Sequence, residues 1–273
     1  MSWSSLRVDP GAARDAAMAA LFAAGAQGVH EDGGSLVTHF PPDTDMHAVV
    51  TAVQRAAPEA QCAVGQTDDT DWSVAWRDRL SAHDLGAVTV TPPWLATGLD
   101  PARTVVIDPG MAFGTGDHPT TRGAVRLLQQ VMSPGLVVAD LGAGSGVLAI
   151  TAARLGASRV FAVEYDGEAI ANAEENVRAN DVEGIVHVFE GDAAVLLPLV
   201  APVDLVVANI ISSVLVELLP AMHDALRPGG VAVLAGILVD EQTSMLEALQ
   251  ADGWRVRADD VEENWWSVTI ARP

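Results

Sequence analysis

One stretch constrains the fold of this chain more than any other, residues 137–150 with the sequence VVADLGAGSGVLAI. An apolar run ends at Asp140, and alternating glycines then lead into a second apolar run, which predicts a buried strand, a turn and a helix. Gly142, Gly144 and Gly146 lack a Cβ and accept positive φ, so the backbone can turn sharply and pass close to a ligand. The amides at the start of the helix point to the same place. The stretch therefore predicts a ligand site over the turn.

The spacing of the glycines indicates the kind of ligand. A dinucleotide fingerprint reads G-x-G-x-x-G, but the third position that it requires is Val147 here and the spacing is G-x-G-x-G. This spacing favours a nucleoside with an amino-acid tail over a pyrophosphate. Glu164 follows the next predicted strand, residues 159–163, where a carboxylate can accept hydrogen bonds from both ribose hydroxyls. Together the two features resemble motifs one and two of the S-adenosylmethionine methyltransferases; the alternative is a glycine turn that only packs a strand on a helix.

From residue 104 to the end, predicted strands and helices alternate. This alternation predicts an α/β domain with a doubly wound, mostly parallel, Rossmann-like sheet, in which ligands bind at the carboxyl ends of the strands. Gly142, Glu164, Asp192 and Asn209 all fall at such ends. Asp192 has two interpretations, a contact to an adenine amino group or a structural turn.

Residues 1–66 show a different pattern, with the predicted order β-α-β-β-α-β. This order is that of a small α+β ferredoxin-like domain. Its first helix is expected to start at Asp9-Pro10, an N-cap followed by proline at the first helical position. No cluster of His, Cys or carboxylate residues is found there, so the domain is expected to recognise a substrate. Residues 67–103 are predicted to be a linker with a connecting helix, and residues 104–273 the catalytic domain.

The amino-acid composition restricts the kinds of molecule that this chain is expected to bind. The 273 residues carry a net charge of −21, which argues against direct binding of nucleic acid and favours a basic protein partner. The single cysteine, Cys62, excludes an internal disulfide and a cysteine-based metal cluster, and no metal is expected. No apolar run has the length of a membrane span, and the first residues lack a signal-peptide core. We expect a soluble, cytoplasmic monomer that contacts no membrane.

Residues 107–121, IDPGMAFGTGDHPTT, make the resemblance more specific. Together with residues 138–156, 207–210 and 71–76, they closely resemble the bacterial ribosomal protein L11 methyltransferase family. The resemblance covers nearly the whole chain from about residue 68, whereas over residues 1–66 only the order of elements agrees. It implies S-adenosyl-L-methionine as cofactor. It also implies methyl transfer to lysine side-chain and/or N-terminal amino groups of the basic ribosomal protein L11.

The resemblance also implies roles for five residues. Thr121 would bind the methionine end of the cofactor, Gly142 and Gly144 would let the cofactor lie against the backbone, and Glu164 would hold the ribose. Asn209 would face the sulfonium and the incoming amine, as both a cofactor-binding and a catalytic residue. The family usually has aspartate where Glu164 stands. Glutamate keeps both acceptor oxygens on a side chain that is one methylene longer.

Some interpretations stay open in the sequence. His118, before Pro119, either caps a helix or takes part in catalysis. Phe113-Gly114-Thr115-Gly116 is expected to form a mobile lid, because two glycines flank the threonine. Two other functions are compatible with the pattern: a small-molecule methyltransferase on the same fold, and a non-catalytic ribosome-assembly factor that binds the cofactor as a structural ligand.

Overall fold

The structure, a computed structural model, describes residues 3–11, 13–26, 29–41, 44–66, 80–110, 114 and 116–272. The chain divides into two compact units, residues 1–79 and 80–273. The predicted connecting helix around residues 71–77, and Phe113 and Thr115 of the predicted lid, lie outside the described residues. Within the described ranges, no helix is long and apolar enough to cross a membrane.

The first unit has the element order that the sequence predicts. Its elements are β1 (Ser4–Asp9), α1 (Arg14–Ala23), β2 (His30–Asp32), β3 (Ser35–Phe40), α2 (Met46–Ala56) and β4 (Gln61–Gln66). The strands form an antiparallel sheet in the order β2-β3-β1-β4. Alternate residues of β1 and β3, among them Leu6, Val8, Leu36 and Phe40, are buried in one apolar core with residues of both helices.

The predicted start of α1 at Pro10 is wrong. The helix begins at Arg14, and its N-cap residue, Ala13, makes no side-chain capping hydrogen bond. Gly11 adopts a φ of +51°, outside the helical region, and this interrupts the chain between Pro10 and the helix. The carboxylate of Asp9 accepts a hydrogen bond from the Gly11 amide at 3.3 Å, so it stabilises a turn before the helix.

The second unit begins with a small sheet. Its strands β5 (His83–Asp84), β6 (Thr89–Thr91) and β7 (Thr104–Val106) lie in chain order. Residues 80–103, which the sequence assigns to a linker, thus contribute two strands to this sheet and belong to the second compact unit.

The large sheet and its helices follow. The helices are α3 (Pro119–Val131), α4 (Val147–Arg154), α5 (Gly167–Ala179), α6 (Ala193–Val200), α7 (Ser212–Ala225) and α8 (Gln242–Ala251). The strands are β8 (Val137–Leu141), β9 (Arg159–Glu164), β10 (Val186–Glu190), β11 (Val203–Asn209), β12 (Leu226–Leu238), β13 (Arg255–Glu262) and β14 (Trp265–Ala271).

The strand order is β10-β9-β8-β11-β12-β14-β13. Pairing is parallel from β10 to β12, and β14 is antiparallel to both of its neighbours. One apolar core, with residues of α3, α4 and α5, covers one face of the sheet, and a second core, with residues of α6, α7 and α8, covers the other. The doubly wound, mostly parallel sheet predicted from the sequence is therefore confirmed.

The strand order also locates the expected ligand site. The chain proceeds from β8 outward to β10 and then returns to place β11 on the other side of β8. Ligands bind at such a switch point, beyond the carboxyl ends of the two central strands. Gly142 follows β8 and Asn209 ends β11, so these two predicted site residues flank the switch point.

Candidate active site

The glycine turn after β8 has the left-handed backbone that its sequence predicts. Gly142, Gly144 and Gly146 have φ values of +71°, +52° and +82°. A Cβ on Gly142 would lie 2.4 Å from Cγ2 of Ile210, so the turn and the end of β11 approach each other closely. The Gly142 amide donates to the Val163 carbonyl at 2.8 Å, which fixes the turn against β9.

Glu164 is held at the edge of this turn. Its Oε2 accepts from the Gly144 amide at 2.7 Å, and its Oε1 accepts from the amides of Tyr165 and Asp166 at 2.8 and 2.9 Å. A carboxylate has about four lone-pair sites, so these three bonds leave acceptor capacity for hydroxyl groups. The longer glutamate is therefore fixed by backbone donors at the position where the sequence places the ribose.

A first cleft of about 410 Å³ opens beside the turn. Its lining includes Gly142, Glu164, Tyr165, Asp192 and Ile210. Asp192 caps α6, because its carboxylate accepts a hydrogen bond from the Ala194 amide at 2.8 Å. The residue therefore has the structural role that the sequence allows, and it also lines the first cleft. Tyr165 is 79% exposed and follows the carboxylate directly. Tyr165 is not among the site residues predicted from the sequence, although an aromatic ring beside a carboxylate that is expected to bind ribose is a usable signal for a nucleoside site.

Asn209 and Thr121 meet at the inner end of the site. Asn209, at the end of β11, is 8% exposed, and Thr121, in the first turn of α3, is fully buried. The Asn209 Nδ2 donates to Thr121 Oγ1 at 3.4 Å, a long hydrogen bond. Among the described residues no donor reaches Asn209 Oδ1, which is buried. Because an unsatisfied buried acceptor is destabilising by about 1–3 kcal/mol, this oxygen is a place for an N–H donor of a ligand.

A second cleft of about 460 Å³ lies on the other side of Ile210. It is lined by His118, Thr120, Asn209, Ile210, Ile211, Val214, Gly236 and Trp265. Ile210 and Val214 line both clefts. Gly236 has a φ of +87°, and a Cβ there would lie 2.4 Å from the Ile210 carbonyl oxygen. Ile210 is therefore held between two glycines, Gly142 and Gly236, and separates a cleft with carboxylates from a mainly apolar one.

Comparison with known proteins identifies the family. A sequence model described as "Ribosomal protein L11 methyltransferase" matches residues 8–273. The chain belongs to this family. A ribosomal protein L11 methyltransferase of Bacillus cereus (strain Q1) is 32% identical over 254 residues, which cover 88% of this chain and 80% of that protein. One of Carboxydothermus hydrogenoformans is 34% identical over 209 residues, covering 76% and 68%.

A solved structure supports the same family assignment. The ribosomal protein L11 methylase of Lactobacillus delbrueckii subsp. bulgaricus is 29% identical, with a TM-score of 0.64, and the match covers 71% of this chain and 99% of that one. The family and the fold predicted from the sequence are thus confirmed. Because the chain belongs to a methyltransferase family, its predicted cofactor, S-adenosylmethionine, is also confirmed.

The residues of this methyltransferase fit such a cofactor. The glycine turn has positive φ at Gly142, Gly144 and Gly146, and Glu164 provides a carboxylate fixed by backbone amides. Asp140, beneath the turn, is fully buried, and neither of its oxygens has a hydrogen-bond partner among the described residues. Burial, together with the negative charge of Glu164, raises the pKa of Asp140 to about 7. The nearby Ala149 amide lowers this pKa, although it lies outside hydrogen-bond geometry. An unpaired buried carboxylate can hold a cationic amino group.

In this methyltransferase His118 acts as a helix cap. Its Nδ1 accepts from the Thr120 amide at 3.3 Å and lies 2.8 Å from Thr120 Oγ1. Its ring meets that of Trp265 edge-on, with centroids 5.0 Å apart. Burial lowers the pKa of His118 and the charge of Arg122 lowers it further, while Glu263 and Asp117 oppose the change. The capping interpretation is therefore the one that the contacts support, and the neutral imidazole forms part of the wall of the second cleft.

Two arginines fix α3, which carries Thr120 and Thr121, to the edge strand β13. Arg126 donates to Asp260 at 2.6 and 2.9 Å and to Glu262 at 2.7 Å, and Arg122 donates to Glu262 at 2.8 Å and to the Asp117 carbonyl. Burial would raise the pKa of Glu262, but the hydrogen bonds from the two arginines lower it. Nothing in the local sequence marks this network, because its two halves are separated by more than a hundred residues.

Proposed function

We propose that this methyltransferase transfers methyl groups from S-adenosylmethionine to lysine side-chain and/or N-terminal amino groups of ribosomal protein L11. The observation that carries the proposal is the junction at Asn209. The buried Oδ1 of this residue lacks a donor, and the side chain lines the mainly apolar second cleft. An amine offers N–H donors to that oxygen, and its aliphatic stem fits apolar walls.

The cofactor, when bound, supplies a methyl group on a sulfonium, which is already a good leaving group. We assign Gly142, Gly144 and Glu164 to the nucleoside part of the cofactor and Thr121 and Asn209 to the end that carries the methyl group. The chain itself must orient the acceptor and exclude water. These assignments are supported by the common position of the five residues at the switch point of the sheet.

The acceptor amine must lose a proton before it can react. An unperturbed lysine has a pKa near 10.4, so at neutral pH it is almost entirely charged. Apolar surroundings disfavour the charged form, and Ile210, Ile211, Val214 and Trp265 provide them in the second cleft. An amide oxygen such as that of Asn209 orients a neutral amine without itself being a strong base.

We assign substrate docking to residues 1–66. The net charge of −21 favours a basic protein such as a ribosomal protein, and the affinity should weaken as salt screens this attraction. Hydrogen exchange of the full chain with and without L11 tests the assignment. We expect protection within residues 1–66 as well as around the second cleft, and protection confined to residues 80–272 would contradict the assignment.

Mass spectrometry of L11 after incubation with enzyme and cofactor tests the proposed function. We expect mass increases in steps of one methyl group, located by peptide mapping on lysine Nε atoms or the N-terminal amine. Omission of the cofactor is the control. No increase would contradict the proposal and leave the small-molecule and non-catalytic alternatives. Methyl groups on side chains other than amines would contradict the proposed amine specificity.

A further inference from the structure

Two asparagines of α5 and the asparagine that caps its C-terminus lie outside both clefts and still make many hydrogen bonds. Asn172, Asn176 and Asn180 are spaced four residues apart, so they share one face of the helix. Asn176 and Asn180 are each only 1% exposed. We call these three residues the asparagine ladder.

The ladder binds the backbone that leads from β7 into the segment bearing His118 and Thr121. Asn180 Oδ1 accepts from the Val106 amide at 2.9 Å, and its Nδ2 donates to the Val106 carbonyl at 2.6 Å. Asn176 does the same for Asp108, with distances of 2.8 and 3.1 Å. Each side-chain amide thus uses its donor and its acceptor as a neighbouring strand would.

The repeat distances explain why a helix can replace a strand here. Four residues of an α-helix rise about 6 Å, and two residues of a strand advance about 6.6 Å. Asn180 and Asn176 therefore match alternate residues of the extended chain, Val106 and Asp108. Asn172 makes only part of a third contact, since its Nδ2 donates to the Asp108 carbonyl at 3.1 Å while Oδ1 has no partner among the described residues.

Asn176 differs from Asn180 in a second contact. Its Nδ2 also donates, at 2.9 Å, to the carbonyl of Ser145, which lies within the glycine turn. The Ser145 hydroxyl in turn donates to the Gly114 carbonyl at 2.7 Å. Asn180 instead donates to the Asn176 carbonyl at 2.8 Å, within its own helix. The side chain of Asn176 thus connects the segment after β7 to the cofactor turn, whereas that of Asn180 connects β7 only to its own helix.

From this difference we infer that Asn176 is a positioning residue for the cofactor site. It holds the glycine turn and the segment after β7 at a fixed separation, and it acts through Ser145 and Asp108 without touching the cofactor. The inference rests on the assignment of the glycine turn to S-adenosylmethionine. It does not depend on which protein or amine is methylated.

The test compares Asn176→Leu with Asn180→Leu in the full chain. Both variants lose hydrogen bonds at the same helix face, so we expect similar decreases in melting temperature. The dissociation constant for S-adenosylhomocysteine, measured by calorimetry, should rise about 10-fold in Asn176→Leu, or about 1.4 kcal/mol, and stay within about 2-fold of wild type in Asn180→Leu. Asn176→Asp, of nearly equal size, keeps the acceptor for Asp108 and removes both donated bonds, so it should weaken binding as well.

Equal changes in the dissociation constant for the two leucine variants would overturn the inference, as would wild-type affinity in both Asn176 variants. A wild-type protein that does not bind S-adenosylhomocysteine would overturn it too. Failure of the proposed function looks different. In that case the wild-type protein binds S-adenosylhomocysteine, and the two asparagines still differ, but L11 gains no methyl groups.

Discussion

The two clefts that meet at Ile210 are built in different ways. The first cleft adjoins the turn whose glycines have positive φ, and it contains a carboxylate that three backbone amides hold in place. The second is lined by four separate segments, represented by His118, Asn209, Gly236 and Trp265, and its walls are mainly apolar side chains. The first cleft therefore depends more on the backbone of the glycine turn, and the second depends more on the side chains that line it.

Asp140, which is buried beneath the glycine turn beside the first cleft, gives the largest expected effect. Its pKa is raised to about 7 by burial, so the unliganded protein should lose stability as pH rises from about 4 to about 7. Asp140→Asn removes this titration. At pH 8 the variant should be more stable than wild type by roughly 4 kcal/mol, since each unit of pKa corresponds to about 1.4 kcal/mol. Urea unfolding at pH 4 and pH 8 measures the difference, which should nearly vanish at pH 4; an equal difference at both values would contradict the account.

Asn209 tests the junction between the clefts. We expect Asn209→Ala to lower kcat for L11 about 100-fold, or about 2.7 kcal/mol, because the acceptor amine loses the oxygen that orients it. Asn209→Asp retains an acceptor oxygen and should be less impaired. Single-turnover methylation followed by mass spectrometry measures both. An alanine variant with wild-type kcat would show that the unpartnered oxygen has no part in the reaction.

Gly142 tests whether the first cleft depends on backbone geometry. Gly142→Ala places a Cβ 2.4 Å from Ile210 at a φ of +71°, and we expect the dissociation constant for S-adenosylhomocysteine to rise about 30-fold, or about 2 kcal/mol. Gly98→Ala is the matched control, because Gly98 has a φ of +86° with no atom within 4 Å of the added Cβ. It should lower stability through strain but leave the affinity unchanged. Similar affinities for the two variants would mean that the close approach to Ile210 is unimportant.

The site residues also differ in how far the sequence could predict them. The glycine spacing and the strand ends carry local signals, so Gly142, Gly144, Glu164 and Asn209 could be proposed as site residues from the sequence. Trp265 and Gly236 could not, because only the strand order β11-β12-β14 brings them to Asn209. Asp140 was visible as the end of a strand, but its burial without a partner is a property of the packed sheet. The start of α1 was misplaced because Gly11 interrupts a capping pattern that is otherwise favourable.

The division of work between the clefts is tested most directly by two variants measured side by side. Glu164→Ala should raise the dissociation constant for S-adenosylhomocysteine about 10-fold and leave the dissociation constant for L11 near the wild-type value, and Trp265→Ala should do the reverse. Calorimetry with each ligand alone gives all four values. This crossed pattern is the result that the account predicts. If both variants weaken both ligands equally, the two clefts form a single site and the account is wrong.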